Sequence, residues 1–475
     1  MRRKLIAAVL AAGLAAPALA DDISAVLAEM KRLATRIDAL EQQNKELEKA
    51  LATERLSERE PELVTRLKAA ESQTLAMQGP LKKLNDALGD IKVTGSLTGV
   101  MQKVGAGDTA SGTEESRASY RGDVTVTLPG GKMGDAEGKI FGHFRFGQGT
   151  GIGLRPTYTS TANTTAFQTN AGSDDSFAIL AQGWYQMKTP LIEDGDFTQT
   201  RANAREHIYV TAGKIDPFVF FDQNVAADDE SAKFLNNVFV HNPLLDSGGD
   251  IRADRYGFAP GAIVKYENTR QKGGEWALSL GVFGSGPGAN FSGSQSRPLV
   301  IAQAETAMRI NYLPGTYRVY LWRQRRASNY DQVERRHAGL GASVDQKVGD
   351  HLTAFGRYGH QLKGKSRFDR ALTLGMELDG SGWSRAADGV GVAFGALRTG
   401  KDFRNDSATI DANGDGTPDF GYQASGAEKQ MELYYRYKLN GNVELTPDFQ
   451  MIRQPGGNAA APTVKVLGLR AKVGF

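Results

Sequence analysis

From Ile91 to the end of the chain the apolar residues recur at every second position, a period that only β-strands use, because successive side chains on a strand point to opposite faces. The alternation marks sixteen candidate strands: 93–102, 119–128, 138–147, 177–188, 206–214, 259–267, 276–284, 302–312, 316–325, 337–345, 352–360, 371–378, 390–398, 430–439, 443–451 and 464–475. No window supplies the run of about 18 apolar residues that a spanning helix needs. If this chain enters a membrane, it does so as strands.

Several strands carry one apolar and one polar face over about ten residues, as a wall between hydrocarbon and a wet lumen requires. Ile140, Gly142, Phe144 and Phe146 stand against Lys139, His143 and Arg145; Met431, Leu433, Tyr435 and Tyr437 stand against Gln430, Glu432, Tyr434 and Arg436. A soluble sandwich also alternates, but here the connections alternate in length as well. Tight links are expected at Pro314-Gly315, at 346–350 and at Asn440-Gly441-Asn442, and long ones at 103–118, 148–176, 215–258, 285–301 and 399–429, with 189–205 an exception. Short turns on one rim and long loops on the other are the habit of outer-membrane barrels. The last strand puts Leu467, Leu469, Ala471, Val473 and Phe475 on one face. The expected fold is therefore an all-β transmembrane barrel of sixteen antiparallel strands over 92–475, with both chain ends in the periplasm.

The N-terminus reads differently. Arg2, Arg3 and Lys4, an apolar stretch from Leu5 to Leu14, and Ala18-Leu19-Ala20 form a secretory signal peptide over 1–20, with Asp21 as the mature start. From Ile23 apolar residues step by three and four through Val26, Met30, Leu33, Ile37 and Leu40 to Leu47 and Leu51, with Asn44 the one polar residue in the seam. That is an α-helical coiled coil, in which Ile23, Met30, Ile37, Asn44 and Leu51 form the oligomer seam and the buried asparagine fixes register. A lone amphipathic helix is the alternative. The pattern breaks near Pro61 and again at Gly79-Pro80. Residues 21–91 would reach on the order of 100 Å at ~1.5 Å per residue, a stalk into the periplasm. Such a stalk implies an oligomer, and a trimer is expected.

Composition narrows the function. There are no cysteines and six scattered histidines, which excludes thiol chemistry and argues against a zinc site. With 57 basic and 54 acidic residues the net charge is +3, no footprint for nucleic acid. No nucleophile elbow, phosphate loop or other catalytic constellation stands out, so an enzyme is not expected.

A barrel of this size leaves an aqueous channel unless a loop narrows it. The longest connection, 216–258, with Phe218, Phe221, Asp222, Asp228, Asp229 and Glu230, is the candidate constriction; an external loop packed on its neighbours is the alternative. Pore-lining charge is expected from Arg121, Arg145, Glu305, Arg309, Arg318, Glu377, Arg436 and Arg470, with rows of arginine and carboxylate setting a transverse field. Arg318, Tyr320 and Trp322 share a face, an aromatic surface with a polar rail. No cofactor is required. Asp411, Asn413, Asp415, Thr417 and Asp419 repeat the oxygen spacing of a calcium loop, but Tyr422 stands where the closing glutamate would be, so Ca2+ at 411–419 competes with an ordinary Asp/Asn/Gly loop.

The run Glu432-Leu-Tyr-Tyr-Arg-Tyr437, continuing through Leu445-Thr-Pro-Asp-Phe-Gln450-Met-Ile to Gln454-Pro-Gly-Gly457, resembles the carbohydrate-selective porin family typified by OprB. Ala212-Gly-Lys-Ile-Asp216, Phe221-Asp-Gln-Asn224 and Phe234-Leu-Asn-Asn237 to Asn242-Pro243 resemble the same family. The resemblance spans about 93–475 and departs from the family in the N-terminal coiled coil and at positions within 216–258. It implies a sixteen-stranded channel in the bacterial outer membrane that passes small hydrophilic solutes, sugars foremost, by diffusion. An anion or general-solute porin is the alternative within transport. A structural tether, with the coiled coil contacting peptidoglycan or a periplasmic partner, is the alternative outside it.

Overall fold

The computed structural model describes residues 91–474 apart from 160, 168–175, 193–199, 201–202, 247–252, 255 and 295, together with Thr35 and Gln42. Ile91–Phe475 is a compact unit of its own, distinct from Met1–Asp90. The signal peptide, the coiled-coil seam and the terminal Phe475 lie outside the described residues.

Sixteen strands follow one another: β1 Lys92–Val104, β2 Glu115–Met133, β3 Ala136–Gln148, β4 Phe177–Leu191, β5 Glu206–Ile215, β6 Ala259–Asn268, β7 Trp276–Gly284, β8 Pro298–Ile310, β9 Leu313–Ser328, β10 Glu334–Lys347, β11 Leu352–Lys363, β12 Phe368–Gly380, β13 Arg385–Thr399, β14 Ala427–Lys438, β15 Val443–Arg453 and β16 Val464–Gly474. Each pairs antiparallel with its neighbours in sequence, and β1 closes on β16 from Ser96↔Gly474 to Val104↔Val466, making a closed barrel with no free edge. Two short helices, α1 (Asn237–Val240) and α2 (Lys401–Asp406), lie in connections.

The outer face is apolar, with Phe144, Val319, Leu374, Phe394, Leu433 and Leu467 all exposed, as lipid contact requires. Every expected strand is present in order, and most run further than the alternation alone marked. One turn differs: β8 and β9 are joined not by Pro314-Gly315 but by Asn311 and Tyr312, both at positive φ (49° and 66°). Two successive left-handed residues give the turn whose twist matches paired strands. Pro314 instead lies near the start of β9, where a missing N–H is tolerated.

The buried core lies inside the barrel. Phe221, Phe234, Val238, Phe239, Leu244 and Leu245 of the 216–258 connection pack on Phe283, Ile301, Tyr320, Trp322 and Phe355 of the inner wall. Loop side chains therefore fill part of the lumen, and a cavity remains beside β2 and β3.

Candidate functional site

The connection 216–258 leaves β5, turns inward and lands on the opposite wall. Asp216 starts it by accepting the Phe218 N–H (3.0 Å) ahead of the short turn opened by Pro217. Asp222, fully buried at φ 57°, accepts from the Tyr320 hydroxyl (2.7 Å), from Arg357 Nε (3.2 Å) and from the Asn242 N–H (2.6 Å). Arg357 also donates to the Phe239 carbonyl (2.7 Å) and pairs with Asp228.

Further round the barrel Glu432 receives the N–H groups of Leu235 (2.5 Å) and Asn236 (2.9 Å). The Asn236 amide reaches Gln430 (2.8 Å) and Gln450 (3.1 Å), and Phe234 sits edge-on to Tyr434. Arg470 donates to the carbonyls of Glu230 (3.0 Å) and Lys233 (2.7 Å), and Lys472 to Ser231 (2.6 Å). Contacts with β9, β11, β14, β15 and β16 require the segment to cross the interior, so it is not an external loop packed only on neighbours.

A second connection, 149–176, also folds inward. Tyr158 donates its N–H to Glu428 (2.7 Å), the Ala162 carbonyl accepts from Gln102 and Gln450 (both 2.8 Å), and Thr164 donates to the Leu235 carbonyl (2.8 Å). Its polar Thr/Asn composition gave no sign of burial in advance.

Between the two loops and the wall of β2 and β3 lies a cavity of about 510 Å3. Arg121 and Arg145 line it from the wall, Asp216, Phe218, Asp228, Glu230 and His241 from one loop, Thr164 and Phe167 from the other. Arg121 reaches Glu230 (2.7 Å) and Asp123 (2.8 Å), and Asp123 also holds Arg145 (2.7 Å) and His143 (2.7 Å). The His241 ring stacks on Phe218 at 3.8 Å between centroids and contacts Asp246 at 3.2 Å. Burial pushes the Asp228 carboxyl up to about 6, against the pull of Arg357. Burial would raise Glu230 as well, but Arg121 and Arg145 outweigh it and hold that carboxyl below its usual range. Burial disfavours the His241 cation, yet Asp246, Asp216 and Asp228 outweigh it and bring the imidazole up to about 9. At neutral pH the cavity thus sets cations on the wall and on His241 against carboxylates on the loop.

Arg121, Arg145, Phe218, Asp228 and Glu230 therefore come together, while the other expected pore residues do not join them. Arg318 is spent on Glu305 (2.5 Å) and Asp345 (3.0 Å), and Arg436 on Glu377 (2.7 Å), which also meets Lys233 (3.1 Å). These are pairs on one wall, not rows facing across the lumen. Arg309 continues the inward row of β8 but is exposed beside Gly273 at the short-turn rim. Tyr320 and Trp322 do share the inward face of β9, but the loop covers them: both are 2% exposed, and the Tyr320 hydroxyl is bonded to Asp222 and Asn242. The expected aromatic slide is part of the loop's anchorage. Phe221 and Asp222 belong to that anchorage too, and Asp229 faces Lys472 (3.5 Å).

Asp123, His241 and Asp216 were missed in the sequence; pairing β2 with β3 in register, which sets Asp123 opposite Arg145, would have found the first. In the 411–419 loop Asp411 accepts the N–H groups of Gly414 (2.7 Å) and Gly416 (2.8 Å), Asp415 that of Thr417 (2.8 Å) and Asp419 that of Ala412 (2.8 Å). Among the described residues no three His, Asp or Glu side chains converge as a metal site.

A family model described as carbohydrate-selective porin, OprB family, matches residues 143–475. A high-pH structure of Pseudomonas putida OprB superposes with a TM-score of 0.66 at 17% identity, covering 84% of this chain and 97% of that one. The outer-membrane channel DcaP of Acinetobacter baumannii aligns at 10% identity with a TM-score of 0.46, covering 81% of this chain and 97% of that one. No curated protein matches the chain in sequence.

Proposed function

The chain belongs to the OprB family of carbohydrate-selective porins, and from that premise we propose that it passes sugars by diffusion through a passage narrowed by 216–258 beside Arg121 and Arg145. The fold and family are those of an outer-membrane channel rather than an enzyme. The observation that carries the sugar reading is the make-up of the cavity. Guanidinium groups of Arg121 and Arg145 line one side, carboxylates of Asp228 and Glu230 the other, and the stacked Phe218 and His241 rings offer a flat face. A hydroxylated ring donates and accepts around its edge and is apolar on its faces, so it can use all three. An anion porin was favoured by surplus lumen arginines; with Arg318 and Arg436 neutralised by Glu305, Asp345 and Glu377, that support falls away.

Single-channel recording in planar bilayers tests the proposal. Open current that is reduced by glucose or maltose in the bath, with weaker block in Arg121→Ala, is the expected result; a silent bilayer, or current indifferent to both sugars, would sink it.

The same proposal includes a homotrimer and a periplasmic coiled-coil stalk over 21–91 that meets peptidoglycan or a periplasmic partner. Removing 21–91 should shift the oligomer seen after chemical crosslinking; an unchanged ladder would discard the stalk's part in assembly. Calcium in the 411–419 loop is tested by titration calorimetry against Asp415→Ala, and equal heats in both chains would leave it an ordinary loop.

A further inference from the structure

Although the outer face of the barrel is apolar through most of its height, the rim nearest the long loops carries exposed basic side chains along one half. On that rim Arg370 of β12 stands directly opposite Arg398 of β13, and Lys429 of β14 directly opposite Arg453 of β15. Lys465 on β16 extends the band on one side, while Arg323 on β9 stands apart from it, with β10 and β11 between. All six are exposed, and none has a side-chain hydrogen bond or ion pair among the described residues.

Like charges set directly across two strands repel each other. Two such pairs, each without a carboxylate, are a cost to the barrel unless something anionic sits on them. The same strands say what that is. Along each outward row the basic residue gives way at once to apolar ones: Leu372 and Leu374 beyond Arg370, Phe394 before Arg398, Leu433 beyond Lys429, Leu467 beyond Lys465. A ligand that uses both features carries phosphate at one end and hydrocarbon at the other. Guanidinium groups grip phosphate oxygens in pairs, and the apolar rows beneath take acyl chains. Free phosphate would have no use for those rows. The other half of the rim lacks the band: Ala118, Ala178, Ala262 and Val282 occupy its outward positions, and Lys214 there is held by Asp254 at 3.2 Å.

We propose that the basic band on β12–β16 is a docking surface for phosphorylated lipid of the leaflet that surrounds the long-loop rim. The inference rests on the outer-membrane reading, and it is independent of which solute the lumen passes.

The test uses the full chain, freed of lipid in a non-ionic detergent, with native mass spectrometry as the readout. Diphosphoryl lipid A and its dephosphorylated form are offered to the wild type and to the variant Arg370→Gln/Arg398→Gln/Lys429→Gln/Arg453→Gln. Expected is retention of the diphosphoryl lipid by the wild type, weakened on the order of a thousandfold in the variant, with little retention of the dephosphorylated form and no displacement by excess inorganic phosphate. Equal retention of both lipids, equal binding by the variant, or displacement by phosphate alone would overturn it. Unaltered single-channel conductance shows that the variant has folded. If it does not fold, Arg370→Gln/Arg398→Gln, which relieves one repulsive pair, serves the same comparison. A wild type that holds the lipid yet conducts nothing would reject the channel reading and leave this one standing.

Discussion

Asp222 shows how one residue can hold a loop across a lumen. Its left-handed backbone aims a fully buried carboxylate at Tyr320, Arg357 and the Asn242 N–H together. Replacing it by alanine strands the Arg357 guanidinium inside the barrel, and breaking one partner of a buried pair costs about 3–5 kcal/mol. Thermal unfolding in detergent should record a loss of that size for Asp222→Ala; a loss under about 1 kcal/mol would mean that Arg357 finds another partner. Asp228 and His241 make the cavity sensitive to pH. Both groups are raised by the fold, to about 6 and about 9, so each favours the docked loop when protonated. That contribution is complete for Asp228 below its unfolded value of about 4 and for His241 below about 6.5, and is lost as pH rises through 6 and 9 respectively. Lowering the pH through 6 removes a negative charge from the passage. The reversal potential in a salt gradient should then move toward anion preference, and Asp228→Asn should abolish the step. A shift of equal size in that variant would place the titrating group elsewhere. The inward parity of Arg121, Glu432 and Tyr320 was legible in the alternation, but which inward residue meets which loop residue was not, because such contacts join positions far apart in the chain, as with Tyr320 and Asp222, which are 98 residues apart.

At the scale of elements, β10 explains why the loop can lie so close to the wall. The Trp322 and Tyr320 rings of β9 lie across Gly339 and Gly341 of β10, where a Cβ at either position would overlap the ring. Small residues here let aromatic side chains fold flat against a neighbouring strand. Gly341→Val should force Tyr320 off Asp222, costing about 1–3 kcal/mol in thermal unfolding and raising single-channel conductance. Gly349→Ala, where nothing lies near the added atom, is the control and should change neither. If both variants behave alike, the close approach is not what seats the loop. The sixteen strands were legible because a two-residue period over a lipid-facing wall admits no slip. The turn at Asn311 and Tyr312 was not, since Pro-Gly is the stronger local turn signal and only the register of β8 on β9 moves it. Nor was the inward course of 149–176, whose partners Glu428, Gln430 and Gln450 lie far along the chain.

The Ile91–Phe475 unit is a closed barrel with an asymmetric interior. Its β6–β14 side is packed with loop side chains, and its β2–β3 side holds the charged cavity. The outside is asymmetric too, with the unpaired basic band on β12–β16. The family and the barrel fold agree with what the alternation and the C-terminal motifs implied. If the 216–258 loop sets the width of the passage, shortening it must widen the channel. Single-channel conductance of the wild type against a chain in which 226–241 is replaced by a short Gly/Ser link measures this directly. A several-fold larger conductance with loss of sugar block is expected in the shortened chain; the same conductance and the same block would mean that the loop does not narrow the passage.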